Sequence, residues 1–179
     1  FDLKGVQGRM SAAKGSDEAL AVRSIVEGEA ELVSSDYALG ASGISTNDLG
    51  SQDARARRAN PGDENSELKR APLYFRRLLH FPYTAGMDLI LHVRKAGGWE
   101  LVSKMYSDPP LSTEQVMHPE RYLDRRDPPV RVVLNLPKGL GDYTMMAEDV
   151  GGEFMASVFL EQHLGYEASL APARGWGGD

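Results

Sequence analysis

The sequence predicts a mainly α-helical protein with a minor β component, packed around one core. Apolar residues recur at intervals of three and four along several stretches, which is typical of amphipathic helices. Glycine and proline lie between those stretches, where helices begin and end. Only one short stretch alternates in the manner of a strand. We therefore expect the 179 residues to form a single domain, or one lobe of a larger domain.

The composition excludes several classes of protein. The net charge of −6 argues against a general nucleic-acid binder. No apolar run approaches the roughly 18 residues that a membrane span needs. The absence of cysteine excludes disulfides and thiolate metal ligands. Both ends look cut, because Phe1 has no leader or helix cap before it and Asp179 follows a turn-like pair of glycines. We expect a fragment or a processed product.

The first predicted helix covers residues 18–39, where the apolar positions are spaced as on one helical face. Ser16 and Asp17 are good caps for its start, and Gly40 is expected to end it. Residues 40–66 are rich in Gly, Ser, Asn and Asp, which predicts an exposed loop.

Proline and glycine divide the middle of the chain. Three helices are predicted there, over residues 67–79, 83–96 and 99–106. Pro82 is expected to interrupt the first pair and Gly97-Gly98 the second pair. Ser112 begins a capping-box pattern, so a short helix over Thr113–Met117 should follow. His118 precedes a proline and is expected to close that helix.

The last part of the sequence mixes three predicted conformations. Alternation and β-branching predict a strand over residues 130–134. A helix is predicted over 151–164, with Phe154, Val158, Phe159 and Leu164 facing inward. Residues 167–174 are expected to be extended.

The first predicted helix contains three acids within five residues. Glu27, Glu29 and Glu31 lie next to or near Gly28 in an otherwise apolar stretch. A glycine inside a helix costs about 1 kcal/mol relative to alanine, so it usually has a packing reason. Close approach of a second helix is one such reason, and a metal bridging two helices would require that approach.

The Glu-Gly-x-Ala pattern at Glu27 resembles the third-ligand helix of the gluzincin peptidases. In those families a His-Glu-x-x-His helix and a later glutamate hold zinc. Further segments resemble, in the same order, a set of bacterial proteins that carry such a helix. These segments are FPYTAG at 81–86, GGW at 97–99, PLSTEQVMHPERY at 110–122 and GWGGD at 175–179. In that set the histidine helix usually lies just before a Phe-Asp-Leu like residues 1–3.

The resemblance implies the helical C-terminal portion of a zincin-like metallopeptidase domain, and a bacterial source whose compartment stays open. It implies zinc in the intact protein, with Glu27 as a ligand. No His-Glu-x-x-His occurs in this chain. Since catalytic zinc normally has three protein ligands, the histidines must come from an upstream segment or a partner chain. We expect zinc binding by this chain alone to be absent or weak, and we expect no activity.

The pattern of residues leaves some site assignments open. A helical wheel places Glu29 nearer the apolar face than Glu27, whereas the resemblance nominates Glu27. Glu27 also lies four residues after Arg23, at the spacing of a surface ion pair. Glu31 is either a group that orients a ligand histidine or a surface acid.

Three side chains are candidates for stabilising an oxyanion in the same site. His118 can donate to a tetrahedral intermediate, or it can close its helix by bonding carbonyls. Tyr83 and Tyr122 can serve the same role, or simply pack with a satisfied hydroxyl. Glu114 is expected to be the acid of the capping box.

Two functions of different classes follow. The resemblance implies hydrolysis of peptide bonds by a metal-activated water, with this chain supplying the third zinc ligand. The alternative is a non-catalytic helical scaffold or interaction module that keeps a zincin core. The residues upstream of Phe1 discriminate the two, because an intact His-Glu-x-x-His there favours the enzyme.

Overall fold

A computed structural model describes residues 5–48, 66–133 and 143–176, with side chains in the second range from residue 68 onward. The helices of these ranges are α1 (Val6–Ala12), α2 (Ser16–Gly40), α3 (Ser66–Arg70), α4 (Leu73–Met105), α5 (Thr113–Met117), α6 (Pro119–Leu123), α7 (Glu153–Leu164) and α8 (Tyr166–Ala173). A 3₁₀ turn, Thr46–Asp48, follows α2. The mainly helical fold class is confirmed.

The expected strand does not form within the described part of residues 130–134. Val130 makes a single isolated bridge, residues 131–133 are irregular and exposed, and Leu134 lies outside the described residues. Alternation identifies a strand only where a neighbouring strand supplies hydrogen bonds along its length. None of the helices in the described ranges has the length and apolar character needed to cross a membrane.

Helices α2 and α4 pack against each other more extensively than any other pair and form the centre of the core. They run in the same direction, because Gly28 meets Gly86 and, eight residues later on each helix, Asp36 meets Arg94. The fully buried Ile25 and Leu32 of α2 flank the crossing. Two parallel neighbours need a long connection, which runs from residue 41 to residue 72.

The predicted exposed loop over residues 40–66 is only partly described. Residues 41–45 are exposed, but Thr46 is buried and donates to Asp36. Arg94 of α4 binds both Asp36 and Thr46, so the start of the connection is fastened to both central helices. Residues 49–65, including the short helix considered after Asp53, lie outside the described residues.

Helix α4 continues through Pro82, contrary to the expected interruption there. The break falls at Pro72 instead, which is extended (φ −52°, ψ 147°) between α3 and α4. Phe81 and Pro82 are both buried, and their apolar burial offsets the hydrogen bond that proline cannot make. The break expected at Gly97-Gly98 is confirmed, since both residues have non-helical dihedrals and Gly98 has φ 66°.

The start of α2 differs from the expectation for its caps. Gly15 occupies the capping position, and Ser16 and Asp17 are the first residues of the helix. The cap is supplied from a distant part of the chain, because Asp149 accepts hydrogen bonds from the amide and the hydroxyl of Ser16, each at 2.7 Å. These bonds, the backbone one first, lower the pKa of Asp149.

Helix α5 begins as predicted. Ser112 Oγ accepts a hydrogen bond from the amide of Gln115 at 3.4 Å. The reciprocal residue is Gln115, whose Oε1 accepts from the amide of Leu111 at 2.8 Å. The assignment of Glu114 as the acid of the capping box is therefore wrong, because Glu114 binds Arg121. The helix ends at His118, where φ −126° and ψ 80° turn the chain into α6.

The helix predicted over 151–164 is confirmed as α7, but two of its four inward residues are not buried. Phe154 and Val158 lie in the core, whereas Phe159 and Leu164 are more than half exposed. Residues 167–174 are not extended. They belong mostly to α8, which packs against α7 after a turn at Gly165 (φ 82°).

Candidate functional site

The acid-rich stretch of α2 lies where α2 crosses α4. A methyl group placed on Gly28 would lie less than 3.0 Å from the backbone of Gly86 and Met87. A methyl group on Gly86 would lie equally close to the carbonyl oxygen of Ser24. The two helices thus touch backbone to backbone, and the packing reason expected for a mid-helix glycine is confirmed. We call this contact the glycine crossing.

Glu27 lies one residue before the glycine crossing and is partly buried, with 27% of its side chain exposed. Its carboxylate pairs with Arg23 one turn earlier, at 3.4 Å from Nε to Oε1. Arg23 is 42% exposed, so this pair contributes only a few tenths of a kcal/mol. Glu31 is exposed. Among the acids of this stretch, Glu27 combines partial burial with a weak partner.

Glu29, the residue nominated by the helical wheel, is engaged elsewhere. Its carboxylate accepts a hydrogen bond from the hydroxyl of Tyr106. Tyr106 directly follows the last part of α4, which comes after the break at Gly98. Burial, and then this bond, raise the pKa of Tyr106. Glu29 therefore ties the end of α4 to α2.

A second polar site lies where α2, α5 and α7 meet. Four buried side chains form it: Asp17, Thr113, His118 and Glu153. We call this site the buried polar junction. Thr113 donates to Asp17 from its amide at 2.8 Å and from its hydroxyl at 2.5 Å, and its hydroxyl accepts from the amide of Phe154 at 3.1 Å. One threonine thereby connects three helices.

Asp17 lies in a tight compartment of the junction. Burial raises the pKa of Asp17, and the nearby charge of Glu153 raises it further. Hydrogen bonds from Thr113 and Gly152 lower the pKa, but the net shift is upward, chiefly because of burial. A methyl group on Gly152 would overlap the Asp17 carboxylate. Glycine at 152 is therefore what lets α7 begin directly against this acid.

His118 joins the junction to the end of the chain. Its Nε2 lies 2.8 Å from Oε1 of Glu153, and its Nδ1 lies 3.2 Å from the guanidinium of Arg174. Glu153 is 1% exposed, and its second oxygen has no hydrogen-bond partner among the described residues. The side chain of His118 is therefore buried and bound by Glu153 and Arg174. It does not bond the carbonyls of its own helix.

The two tyrosine candidates differ in how they are bound. Tyr122 donates to the carbonyl of Asp108 at 2.7 Å, and Arg126 stacks over its ring. Burial and the nearby charge of Asp108 raise the pKa of Tyr122 to about 12. Tyr83 is 37% exposed, and the described residues provide no hydrogen bond to its hydroxyl. It lies one turn before Gly86 on α4.

The glycine crossing and the buried polar junction are separate sites. Asp17 and Glu27 are ten residues apart on α2, which corresponds to about 15 Å along the helix. No hydrogen bond or ion pair of the described residues joins Glu27 to His118 or to Tyr122.

Sequence reasoning missed most of the buried polar junction. The sequence predicts Asp17 as a cap, Thr113 as part of a capping box and Arg174 as part of an extended tail, and it does not single out Glu153. The one local signal in this region is Gly151-Gly152 before an apolar helix, because paired glycines permit a close approach. It does not say what approaches.

In the ranges 5–48, 68–133 and 143–176, no three histidine or acidic side chains are grouped so as to hold a metal ion. Comparisons with known protein families, with curated proteins and with solved structures found no match. Within these ranges, Glu27 does not belong to any group of three such side chains.

Proposed function

We propose that this chain is the helical portion of a zincin-like peptidase, in which Glu27 is the carboxylate ligand of zinc. The glycine crossing is the observation that carries the proposal. It gives the glycine of the Glu-Gly-x-Ala pattern a packing role, and it fixes the helix of Glu27 against a second helix. The motif resemblance supports the same assignment over nearly the whole chain, with residues 40–65 matching poorly.

The surroundings of Glu27 suit a ligand that exchanges one partner for another. The ion pair with Arg23 is half exposed and weak, so a metal can displace it at little cost. The buried Ile25 and Leu32 fix the rotation of α2, and with it the position of the carboxylate. Two imidazoles would have to come from an upstream segment or a partner chain that carries His-Glu-x-x-His.

Zinc bound in this way would activate a water and polarise the scissile carbonyl of a peptide. Within this chain, Glu27 would hold its part of the coordination shell. Tyr83 is our candidate for donating to the oxyanion, since it precedes Gly86 by one turn and its hydroxyl has no described partner. His118 and Tyr122 are less suited, because Glu153 and Asp108 already bind them.

Zinc uptake tests the proposal. The chain alone should bind no zinc, whereas the chain joined to a His-Glu-x-x-His segment should bind one zinc per molecule by elemental analysis. Zinc should also raise the melting temperature of the joined protein, because a ligand of the native state stabilises it by mass action. Glu27→Ala should weaken zinc binding by at least about 100-fold, since loss of a mere outer partner of a ligand costs 10–100-fold.

Glu31→Ala is the matched control, because Glu31 lies one turn further on the same helix and is exposed. It should bind zinc as the wild type does. A joined wild-type protein without zinc would overturn the proposed function. Equal zinc affinity in Glu27→Ala and the wild type would remove Glu27 from the site.

The second candidate function is a non-catalytic helical scaffold. One observation favours it: two of the three oxyanion candidates are held in structural hydrogen bonds. Degenerate histidines in the upstream segment, together with an unchanged melting temperature in zinc, would support the scaffold over the enzyme.

A further inference from the structure

The ring of His118 is held between two partners of opposite charge. Its Nε2 lies 2.8 Å from a Glu153 oxygen, and its Nδ1 lies 3.2 Å from Arg174 Nη2. A guanidinium only donates hydrogen bonds, so Nδ1 must be the acceptor and carries no proton. Nε2 then carries the ring proton and donates it to Glu153. These contacts therefore require the neutral imidazole.

A second carboxylate lies close to the same nitrogen. Oε1 of Glu120 is 3.9 Å from Nδ1, and the Glu120 side chain is 53% exposed. A proton on Nδ1 would turn this nitrogen into a donor, which Glu120 can accept and Arg174 cannot. It would also place two positive charges next to each other at the Arg174 contact.

The other charges around the ring leave this exchange intact. The ring forms its hydrogen bonds and ion pairs with Glu153 of α7, Glu120 of α6 and Arg174 after α8. Asp17 of α2 binds Thr113 and lies close enough to Glu153 for the charge of Glu153 to raise its pKa. Glu114 of α5 is bound by Arg121, and α4 provides no hydrogen bond or ion pair to the ring within the described ranges.

We propose that His118 is a proton-operated partner switch for the described residues that follow α8, which are 174–176. In its neutral form it binds Arg174 and holds the end of α8 against α6. When it takes a proton from solvent on Nδ1, it releases Arg174 and donates to Glu120, while Nε2 keeps Glu153. This switch lies at the buried polar junction and does not depend on zinc.

Release of Arg174 should loosen the residues that follow α8. The amide of Arg174 donates to Leu170 at 3.2 Å, and the amide of Trp176 donates to Ala173 at 2.9 Å. Ala173 is buried, so α8 itself stays anchored. Trp176 is 47% exposed and lies two residues beyond Arg174, which makes it a probe of the release.

The test is a titration from pH 8 to pH 5, the range in which imidazoles change charge. Nitrogen NMR of His118 should find a bare Nδ1 at pH 8 that gains a proton on acidification. Trp176 fluorescence should change at the same midpoint. It is read in a Trp99→Phe background, because Trp99 is the other tryptophan. Amide exchange at Trp176 should accelerate together with it.

Three variants sharpen the test. Arg174→Gln should abolish the pH response of Trp176 and raise the midpoint of the His118 titration, since a positive neighbour disfavours the charged ring. Glu120→Gln should lower that midpoint, because the acceptor for the new proton loses its charge. Arg9→Gln, an exposed arginine of α1, should change neither.

Two outcomes would overturn the switch. One is a proton on Nδ1 and a bare Nε2 at pH 8. The other is a Trp176 response that is missing in the wild type or unchanged in Arg174→Gln.

Discussion

The glycine crossing and the buried polar junction both join α2 to the rest of the fold, but by different physics. At the crossing, Gly28 and Gly86 remove side chains so that two backbones touch. At the junction, Thr113 and Glu153 bring polar side chains into the interior and satisfy most of their hydrogen bonds there. The crossing depends on the absence of side chains at two glycines, and the junction depends on matched hydrogen-bond donors and acceptors.

This difference predicts which kind of change should destabilise each region. A contact made by shape responds to added volume and is insensitive to pH. A contact made by buried polar groups tolerates little loss of a partner, and it responds to protons. The crossing is therefore suited to holding Glu27 in a fixed place, and the junction is suited to titrating.

The largest effect should come from Gly28→Ala. The new methyl would meet the backbone of Gly86 and Met87, which cannot move without separating α2 from α4. We expect a loss of about 3 kcal/mol in the free energy of unfolding, well beyond the roughly 1 kcal/mol gained in helix propensity. Gly8→Ala is the control. Gly8 lies inside α1 with open space around it, so that variant should be slightly more stable. If Gly28→Ala and Gly8→Ala changed the free energy of unfolding equally in urea denaturation, the close contact at Gly28 would be contradicted.

A smaller loss should follow Thr113→Val, which keeps the shape and removes the hydroxyl. Asp17 would lose a donor and the Phe154 amide would lose its acceptor, both in the interior. We expect about 2 kcal/mol of destabilisation. Among the described residues, the Thr84 hydroxyl bonds only to the carbonyl one turn earlier, so Thr84→Val should cost less than about 0.5 kcal/mol. Similar losses in the free energy of unfolding for the two variants would mean that the hydrogen bonds of Thr113 to Asp17 and Phe154 do not stabilise the fold.

Asp17 should give the junction a defined pH dependence. Its folded-state pKa is raised above the usual 3.8, chiefly by burial, so the folded protein binds the proton more tightly than the unfolded chain. This stability is complete below about pH 3.8 and is lost as the pH rises through the folded-state value. The free energy of unfolding of Asp17→Asn minus that of the wild type should therefore increase between pH 4 and pH 7. A constant or decreasing difference would contradict the raised pKa.

The smallest effect should come from Arg23→Ala, because its ion pair with Glu27 is partly exposed and weak. We expect a change below about 0.5 kcal/mol in the free energy of unfolding. Arg94→Ala is the comparison, since the Arg94 side chain is only 10% exposed and binds Asp36, Thr46 and Asn47. It should cost several times more. A loss above about 1 kcal/mol for Arg23→Ala would mean that Glu27 is firmly bound and not available to a metal.

Sequence patterns predicted the parts of the fold that depend on local chemistry. The long helix of Glu27, the cap at Ser112 and the break at Gly98 are determined within a few residues. Gly28 likewise predicts a close contact, because a mid-helix glycine is costly unless something approaches it.

The errors share one cause, which is that distant packing decides between local options. Pro82 remains helical because its neighbours are buried in the core, and residues 167–174 become helical because α7 offers them a surface. The partners of His118 lie 35 and 56 residues away in the chain. No periodicity carries information over that distance, so the polar junction could be found only in three dimensions.

The most direct test of the account is the coordination of zinc in a crystal of the chain joined to a His-Glu-x-x-His segment. We predict anomalous density for zinc with a Glu27 oxygen at about 2.0–2.2 Å and Arg23 displaced from the carboxylate. Zinc held without Glu27, with the Arg23–Glu27 pair still in place, would contradict it.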